Sequence, residues 1–100
     1  MAELTIVYWR DIPAQIIVKK GRQAAKRELP VRFAEAIDHA AMRSGARDTD
    51  AYLAEWRKSD PVQVSDDFEA EADRAAADLD LAIDEAALTA LVKAGGRANG

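Results

Sequence analysis

The sequence predicts an α+β domain in which a small β-hairpin packs against three or four helices. Near its start, two short runs rich in β-branched and aromatic residues lie close together, which favours an antiparallel hairpin. Further along, apolar residues recur at spacings of three and four, which is the helical period. Alanine, the best helix former, accounts for 22 of the 100 residues. The expected core is therefore rich in helix and modest in volume.

The strand predictions concern four segments. Residues 4–9 form the first strand, and bulky side chains on both of its faces indicate a central or doubly covered position. Residues 15–19 form the second strand, which Gly21 ends. Residues 22–29 are ambiguous, and a short helical turn is one interpretation. Val62–Val64 alternates in chemistry and would make the antiparallel sheet three-stranded if it paired with the hairpin.

Two helices are predicted in the middle of the chain. Pro30 fits a first helical position, and Gly45 is a natural stop after the last turn. Between them an apolar stripe recurs at helical spacing, formed by Phe33, Ala36, Ile37, Ala40 and Ala41. A shorter helix is capped by Asp48 or Thr49 and must end before Pro61. Its expected apolar face is Tyr52, Leu53 and Trp56.

The last third of the chain predicts more helix. Ser65 is the expected N-cap of a helix that runs to about Asp80. Asp84 and Glu85 resemble a second cap and first turn, so residues 66–94 form either one helix or two. The whole chain of residues 1–100 is expected to be one domain. It comprises an α+β part (residues 4–60), an acidic helical part (61–95) and a frayed tail (96–100).

Charge is distributed unevenly along the chain. Residues 1–58 carry eleven basic and eight acidic side chains, whereas residues 59–100 carry three and ten. We interpret this split as attraction between the two halves within one fold. The densest basic segment is Lys19, Lys20, Arg22, Lys26 and Arg27. With Tyr8 and Trp9 as stacking surfaces it could bind nucleic acid weakly, although the computed pI near 4.9 disfavours that class.

Composition and motifs exclude several classes of function. No apolar run approaches the ~20 residues of a membrane span, and no secretory signal opens the chain, so a cytoplasmic protein is expected. Without cysteine, thiolate-ligated metal sites are excluded. His39 is the single histidine, and the three serines lie at predicted helix ends. We therefore expect no catalytic residues, no metal and no cofactor, and His39 is interpreted as structural or surface-exposed.

Several short strings together resemble a known family. They are Tyr8-Trp9-Arg10-Asp11-Ile12-Pro13-Ala14-Gln15, Lys20-Gly21, Leu29-Pro30, Arg32-Phe33, Ala36-Ile37-Asp38, Ala41-Met42, Asp50-Ala51-Tyr52-Leu53 and Trp56. Over residues 4–60 the chain resembles the small bacterial virulence factor domain, which is related to the C-terminal domain of conserved virulence factor C. The resemblance implies an accessory or interaction role and supplies no catalytic residues. It also implies an association of some stand-alone members with folate-linked one-carbon enzymes.

The sequence thus predicts a small, non-enzymatic accessory protein that binds another protein. The expected contact surface is the turn and its flanks, Trp9, Arg10, Asp11, Ile12, Pro13 and Gln15, because a turn there carries large side chains where small polar ones would serve. One alternative is a ligand-binding partner of a folate-linked enzyme, with Arg10, Asp11 and His39 lining a shallow pocket. Another is weak nucleic-acid binding through residues 19–27. The sequence leaves homodimer formation open.

Overall fold

The computed structural model describes residues 2–45 and 48–97, which form five strands and four helices. The strands are β1 (Ala2–Trp9), β2 (Ile12–Lys20), β3 (Gln23–Glu28), β4 (Trp56–Lys58) and β5 (Val62–Val64). The helices are α1 (Val31–Arg43), α2 (Thr49–Ala54), α3 (Phe68–Ala82) and α4 (Glu85–Lys93). This is the predicted α+β class, with a larger sheet than expected.

All strand pairings in the sheet are antiparallel, and β1 is its centre. β2 pairs with β1 along one side and with β3 beyond, while β4 and β5 share the other side of β1. Between β4 and β5, Ser59 fills the gap with two hydrogen bonds to Ile6. The Ser59 N–H donates to the Ile6 carbonyl at 2.9 Å, and the Ile6 N–H donates to the Ser59 hydroxyl at 2.9 Å. The Ser59 side chain therefore takes the place of a backbone acceptor.

Alternation along the strands gives the sheet two different faces. Ile16 and Val18 are fully buried and pair with Ile6 and Leu4 of β1. Helix α3 packs against β1, β2 and β3, and it covers this apolar face. Gln15, one residue from Ile16, points to the opposite face, because successive side chains of a strand alternate. Helix α1 packs against β2 and α4, with its predicted stripe buried.

At one segment that the sequence left ambiguous the structure shows a strand, and two predictions about local structure are wrong. Residues 23–28 form strand β3 and no helical turn, because pairing with β2 supplies their backbone hydrogen bonds. Trp56 lies in β4, opposite Trp9, and not on the face of α2. Asp67, not Ser65, caps α3, and its carboxylate accepts from the Ala70 N–H at 3.3 Å.

The C-terminal helices follow their local signals. Helix α3 ends before Ile83. The Asp84 carboxylate then caps α4 by accepting from the Ala87 N–H at 2.8 Å. Residues 66–94 therefore contain two helices. Gly95 and Gly96 follow α4 with φ of +71° and +93°, and both are buried. Of the tail expected to fray from residue 96, Gly96 is thus packed in the structure, and residues 98–100 lie outside the described residues.

Ion pairs join the basic first half to the acidic second half, as the charge distribution predicts. Arg27 Nε donates to the Asp73 carboxylate at 2.6 Å, and Arg27 Nη2 lies 3.4 Å from the Glu69 carboxylate. Arg32 contacts Asp80 at 2.7 Å, and the same Nη2 also donates to the Ile83 carbonyl. The hydrogen bond that Arg27 donates to Asp73 is the main cause that raises the pKa of Arg27. In the described segments, no helix is long and apolar enough to cross a membrane.

Candidate functional site

The turn between β1 and β2 is an attachment point for the C-terminal end of the described chain. Arg10 adopts φ of +54°, a left-handed conformation that costs a non-glycine residue energy. Its N–H donates to the Glu55 carbonyl at 3.1 Å, and its Nη1 donates to the Gly95 carbonyl at 2.8 Å. The Asp11 N–H donates to the Gly96 carbonyl at 2.8 Å. These tertiary bonds hold the strained turn in place.

The guanidinium of Arg10 is largely enclosed by the protein. Its side chain is 14% exposed, and its Nη2 lies 3.5 Å from the Glu55 carboxylate. The group also lies over the Trp9 ring, 4.9 Å from the centroid, while its buried Nε has no hydrogen-bond partner among the described residues. Arg10 is therefore held within the fold, where it joins β1, Glu55 and the end of α4.

Half of the predicted contact surface is inside the protein. Trp9, Ile12 and Pro13 are fully buried, and the Trp9 indole N–H donates to the Tyr52 carbonyl at 2.9 Å. These three side chains are core residues, so they cannot touch a partner directly. The signal behind the expectation, an aromatic ring and an arginine at a turn, is explained by attachment of that turn to distant parts of the chain.

The remaining members of that surface are divided between two environments. Asp11 is partly exposed and accepts from Arg57 Nη2 at 3.0 Å, and Arg57 Nε also donates to the Arg10 carbonyl. Gln15 points away from this pair to the sheet face that α3 leaves uncovered. Of the six residues, Gln15 alone lines the groove described below.

The basic segment is divided by the pleat of the sheet. Lys26 pairs in register with Ile17, while Arg27 pairs with Ile16 on the face covered by α3, where its charge is matched by acidic side chains. Lys19 and Lys20 point to opposite faces for the same reason, and Arg22 lies in the turn. The proposed stacking partners are also occupied, since Trp9 is buried and Arg57 lies 4.5 Å from the Tyr8 ring centroid. The geometry does not favour nucleic acid.

His39 is exposed and lines a groove between α1 and α4 with a volume of about 290 Å³. Arg32, Glu35, Glu85 and Thr89 share that groove, whereas Arg10 and Asp11 do not line it. The structure therefore does not bring together the three residues expected to form a ligand pocket. Across residues 2–45 and 48–97, no group of three or more His, Asp or Glu side chains could hold a metal ion.

A second groove lies on the sheet face opposite α3 and has a volume of about 310 Å³. Its wall is formed by α1, and its floor by β1 and β2. The apolar lining is Val7, Ala14, Leu29, Ala34 and Ile37. The polar and aromatic lining is Gln15, Glu28, Asp38, Tyr52 and Trp56. We call this the α1–β4 groove.

Register and stacking position the lining of the α1–β4 groove. Val7 of β1 pairs with Gln15 of β2, which in turn pairs with Glu28 of β3, so these three side chains form one row across the sheet. Tyr52 stacks on buried Trp9 with centroids 5.8 Å apart, and it meets Trp56 edge to face at 5.9 Å and 82°. Both aromatic rings are therefore fixed by packing.

The electrostatic character of the α1–β4 groove is acidic. Glu28 and Asp38 line it, and none of the described residues that line it is a lysine, arginine or histidine. Burial raises the pKa of the Tyr52 phenol, and the nearby Asp38 carboxylate raises it further, while interaction with Trp56 lowers it. Among the described residues, neither Glu28 nor Asp38 forms an ion pair.

Sequence reasoning missed this groove as a site. It identified Gln15 as a contact residue and Tyr52 and Trp56 as apolar, but the groove assembles side chains from separate elements. The available signal was the unusual richness of residues 50–58 in aromatic and charged side chains. That signal could not be connected to Glu28 or Asp38 without the sheet register.

Comparison with protein families gives one match. The family model described as Virulence factor matches residues 7–92, which extend from β1 into α4 and include the α1–β4 groove. The match thus begins three residues after the resemblance seen in the sequence, which spans residues 4–60, and extends past its end to residue 92. Comparison with curated proteins and with solved structures finds no match. The chain belongs to the Virulence factor family.

Proposed function

We propose that this chain is an accessory protein without catalytic activity that binds another protein through the α1–β4 groove. The observation that carries the proposal is the chemistry of the groove, where two half-buried aromatic rings meet a glutamine and two carboxylates beside an apolar floor. Tyrosine and tryptophan held rigidly at a concave surface are typical of the residues that dominate binding energy at protein interfaces.

The hydrogen-bonding state of Gln15 supports the same proposal. Its side-chain amide carries two donors and a two-lone-pair acceptor, and it makes no hydrogen bond with the described residues. It lies at the sheet surface, in register between Val7 and Glu28. An amide in that place can bond the peptide groups of a bound segment, whichever direction the segment runs.

Site-specific photocrosslinking tests the location of the surface. A benzophenone amino acid is introduced at Ala34, which is exposed and lines the groove, or at Ala77, which is exposed on α3 outside it. We expect reproducible capture of the same protein from native cells at position 34 and no such capture at position 77. Equal capture at both positions would contradict the proposal.

A binding measurement with purified components completes the test. The captured protein is titrated by calorimetry against the chain and against Ala34→Arg and Ala77→Arg, which add the same group to an exposed helical position. If the groove forms the centre of the interface, Ala34→Arg should weaken binding about thirtyfold or more, and Ala77→Arg should leave the affinity unchanged. Unchanged affinity of Ala34→Arg would exclude the groove as the contact.

A further inference from the structure

We propose that the α1–β4 groove receives a lysine or arginine side chain from an extended segment of the partner protein. This inference rests on the proposed function and adds the chemistry of the occupant. The charge, shape and volume of the groove support it.

Charge complementarity selects a cation. Glu28 and Asp38 are both exposed and stand beside the groove on different elements, β3 and α1. Other acidic side chains form ion pairs with basic ones, such as Asp73 with Arg27 and Asp80 with Arg32. The two groove carboxylates have no such partner in the described chain, so the field in the groove is negative and favours a positive group.

The aromatic rings favour a cation on a hydrocarbon stem. Tyr52 and Trp56 both line the groove, and their rings meet at 82°, so they form an aromatic corner beside it. An ammonium or guanidinium group near the face of an aromatic ring is attracted by the quadrupole of the ring. The methylene stem of lysine or arginine can lie along Val7 and Ile37 while its head reaches the carboxylates.

The volume accommodates a single side chain and is small for a large ligand. At about 310 Å³ the groove lies at the lower end of the range for small-molecule pockets, about 300–1,000 Å³. On the same sheet face, Thr5, Ile17 and Lys26 form the next row in register. A segment lying along this face would place one basic side chain in the groove and bond its backbone to the Gln15 amide.

The test uses the full chain labelled with ¹⁵N and three blocked pentapeptides that are identical except at the centre. The centres are lysine, norleucine, which keeps the four-carbon stem of lysine but lacks the ammonium group, and glutamate. With the lysine peptide at low-millimolar concentration, we expect amide shifts at Gln15 and Asp38 and a shift of the Trp56 indole N–H. The norleucine and glutamate peptides should bind at least about fivefold more weakly, as expected for a lost ion pair.

Charge variants separate a specific site from general acidity. Glu28→Gln with Asp38→Asn removes both groove carboxylates, whereas Asp60→Asn with Asp78→Asn makes the same net change at exposed positions outside the groove. We expect the groove variant to lose the preference for lysine and the control to keep it. Equal effects of the two variants, or no groove shifts with the lysine peptide, would overturn the inference.

Two further outcomes are decisive. Norleucine binding as strongly as lysine would overturn the cation inference while leaving an apolar protein contact, and so the proposed function, in place. If Nα-acetyl-lysine methylamide binds as strongly as the lysine pentapeptide, the inference of an extended segment is overturned and a small amine is indicated as the ligand. The photocrosslinking experiment does not depend on charge, so failure there would count against the proposed function itself.

Discussion

Replacing Gly96 by alanine should reveal how tightly the C-terminal turn packs on the β1–β2 hairpin. A Cβ at Gly96 would lie 3.0 Å from a ring carbon of Trp9 and 3.4 Å from Arg10 side-chain carbons. The backbone bonds of residue 96, to Asp11 and to Leu91, are retained because alanine keeps its N–H and carbonyl. The substitution therefore changes conformational strain and packing without removing a hydrogen bond.

Two opposing effects and one additional effect set the change in the free energy of unfolding. A positive φ costs a residue with a Cβ about 1–2 kcal/mol, while reduced freedom of the unfolded chain returns about 0.4–1 kcal/mol. Overpacking against the buried Trp9 ring adds about 1–3 kcal/mol. The expected loss in free energy of unfolding is about 2–4 kcal/mol, which for a chain of this length lowers Tm by roughly 10–20 °C.

Gly45→Ala is the matched control for this substitution. Gly45 has a similar φ of +80°, but a Cβ there would meet nothing within 4 Å. It should lose about 1 kcal/mol or less, from strain alone. Urea and thermal unfolding of the wild type and both variants give the comparison. Equal losses in the two variants would refute the close approach of Gly96 to Trp9.

Three other measurements test the remaining arguments. Trp9→Ala should cost about 3–5 kcal/mol in urea unfolding because the ring is fully buried, and a loss below about 1 kcal/mol would place the ring at the surface instead. In a Tyr8→Phe background, phenolate absorbance reports Tyr52 alone. Asp38→Asn should lower the pKa of Tyr52, and an unchanged titration would show that Asp38 does not raise that pKa. Glu71 has a lowered pKa, chiefly through hydrogen bonds from a serine, so its stabilisation is present at neutral pH and lost as pH falls through that pKa. Glu71→Gln should flatten this acid-side loss of stability, and an unaltered pH profile would contradict the assignment.

Features determined by neighbouring residues could be predicted from the sequence. Asp84 caps α4 through an N–H three residues away, and Gly45 and Gly21 stop their elements through their own φ values. The stripe of α1 is buried as its spacing predicts. In each case the physical cause lies within one or two helical turns of the residue, so a single sequence contains it.

Features determined by distant residues could not be predicted. Residues 23–28 contain no β-branched or aromatic side chain, and only pairing with β2 makes them a strand. The burial of Trp9 depends on Gly96, and its hydrogen bond depends on Tyr52, both far along the chain. The α1–β4 groove depends on the register that aligns Val7 and Gln15. Local sequence carries no information about these distances.

Ser59 has a consequence for solubility. Residues 4–9 read Leu-Thr-Ile-Val-Tyr-Trp, an uncharged segment without proline and with high β-propensity, which is the composition of aggregation-prone strands. On one side this segment is protected only by β4 and β5, each three residues long, with Ser59 bonded to Ile6 between them. Each of these strands is too short to be a stable covering alone, and Ser59 joins the two into one continuous edge. The hydroxyl of a single serine thus helps to keep the aggregation-prone strand β1 from pairing with other molecules.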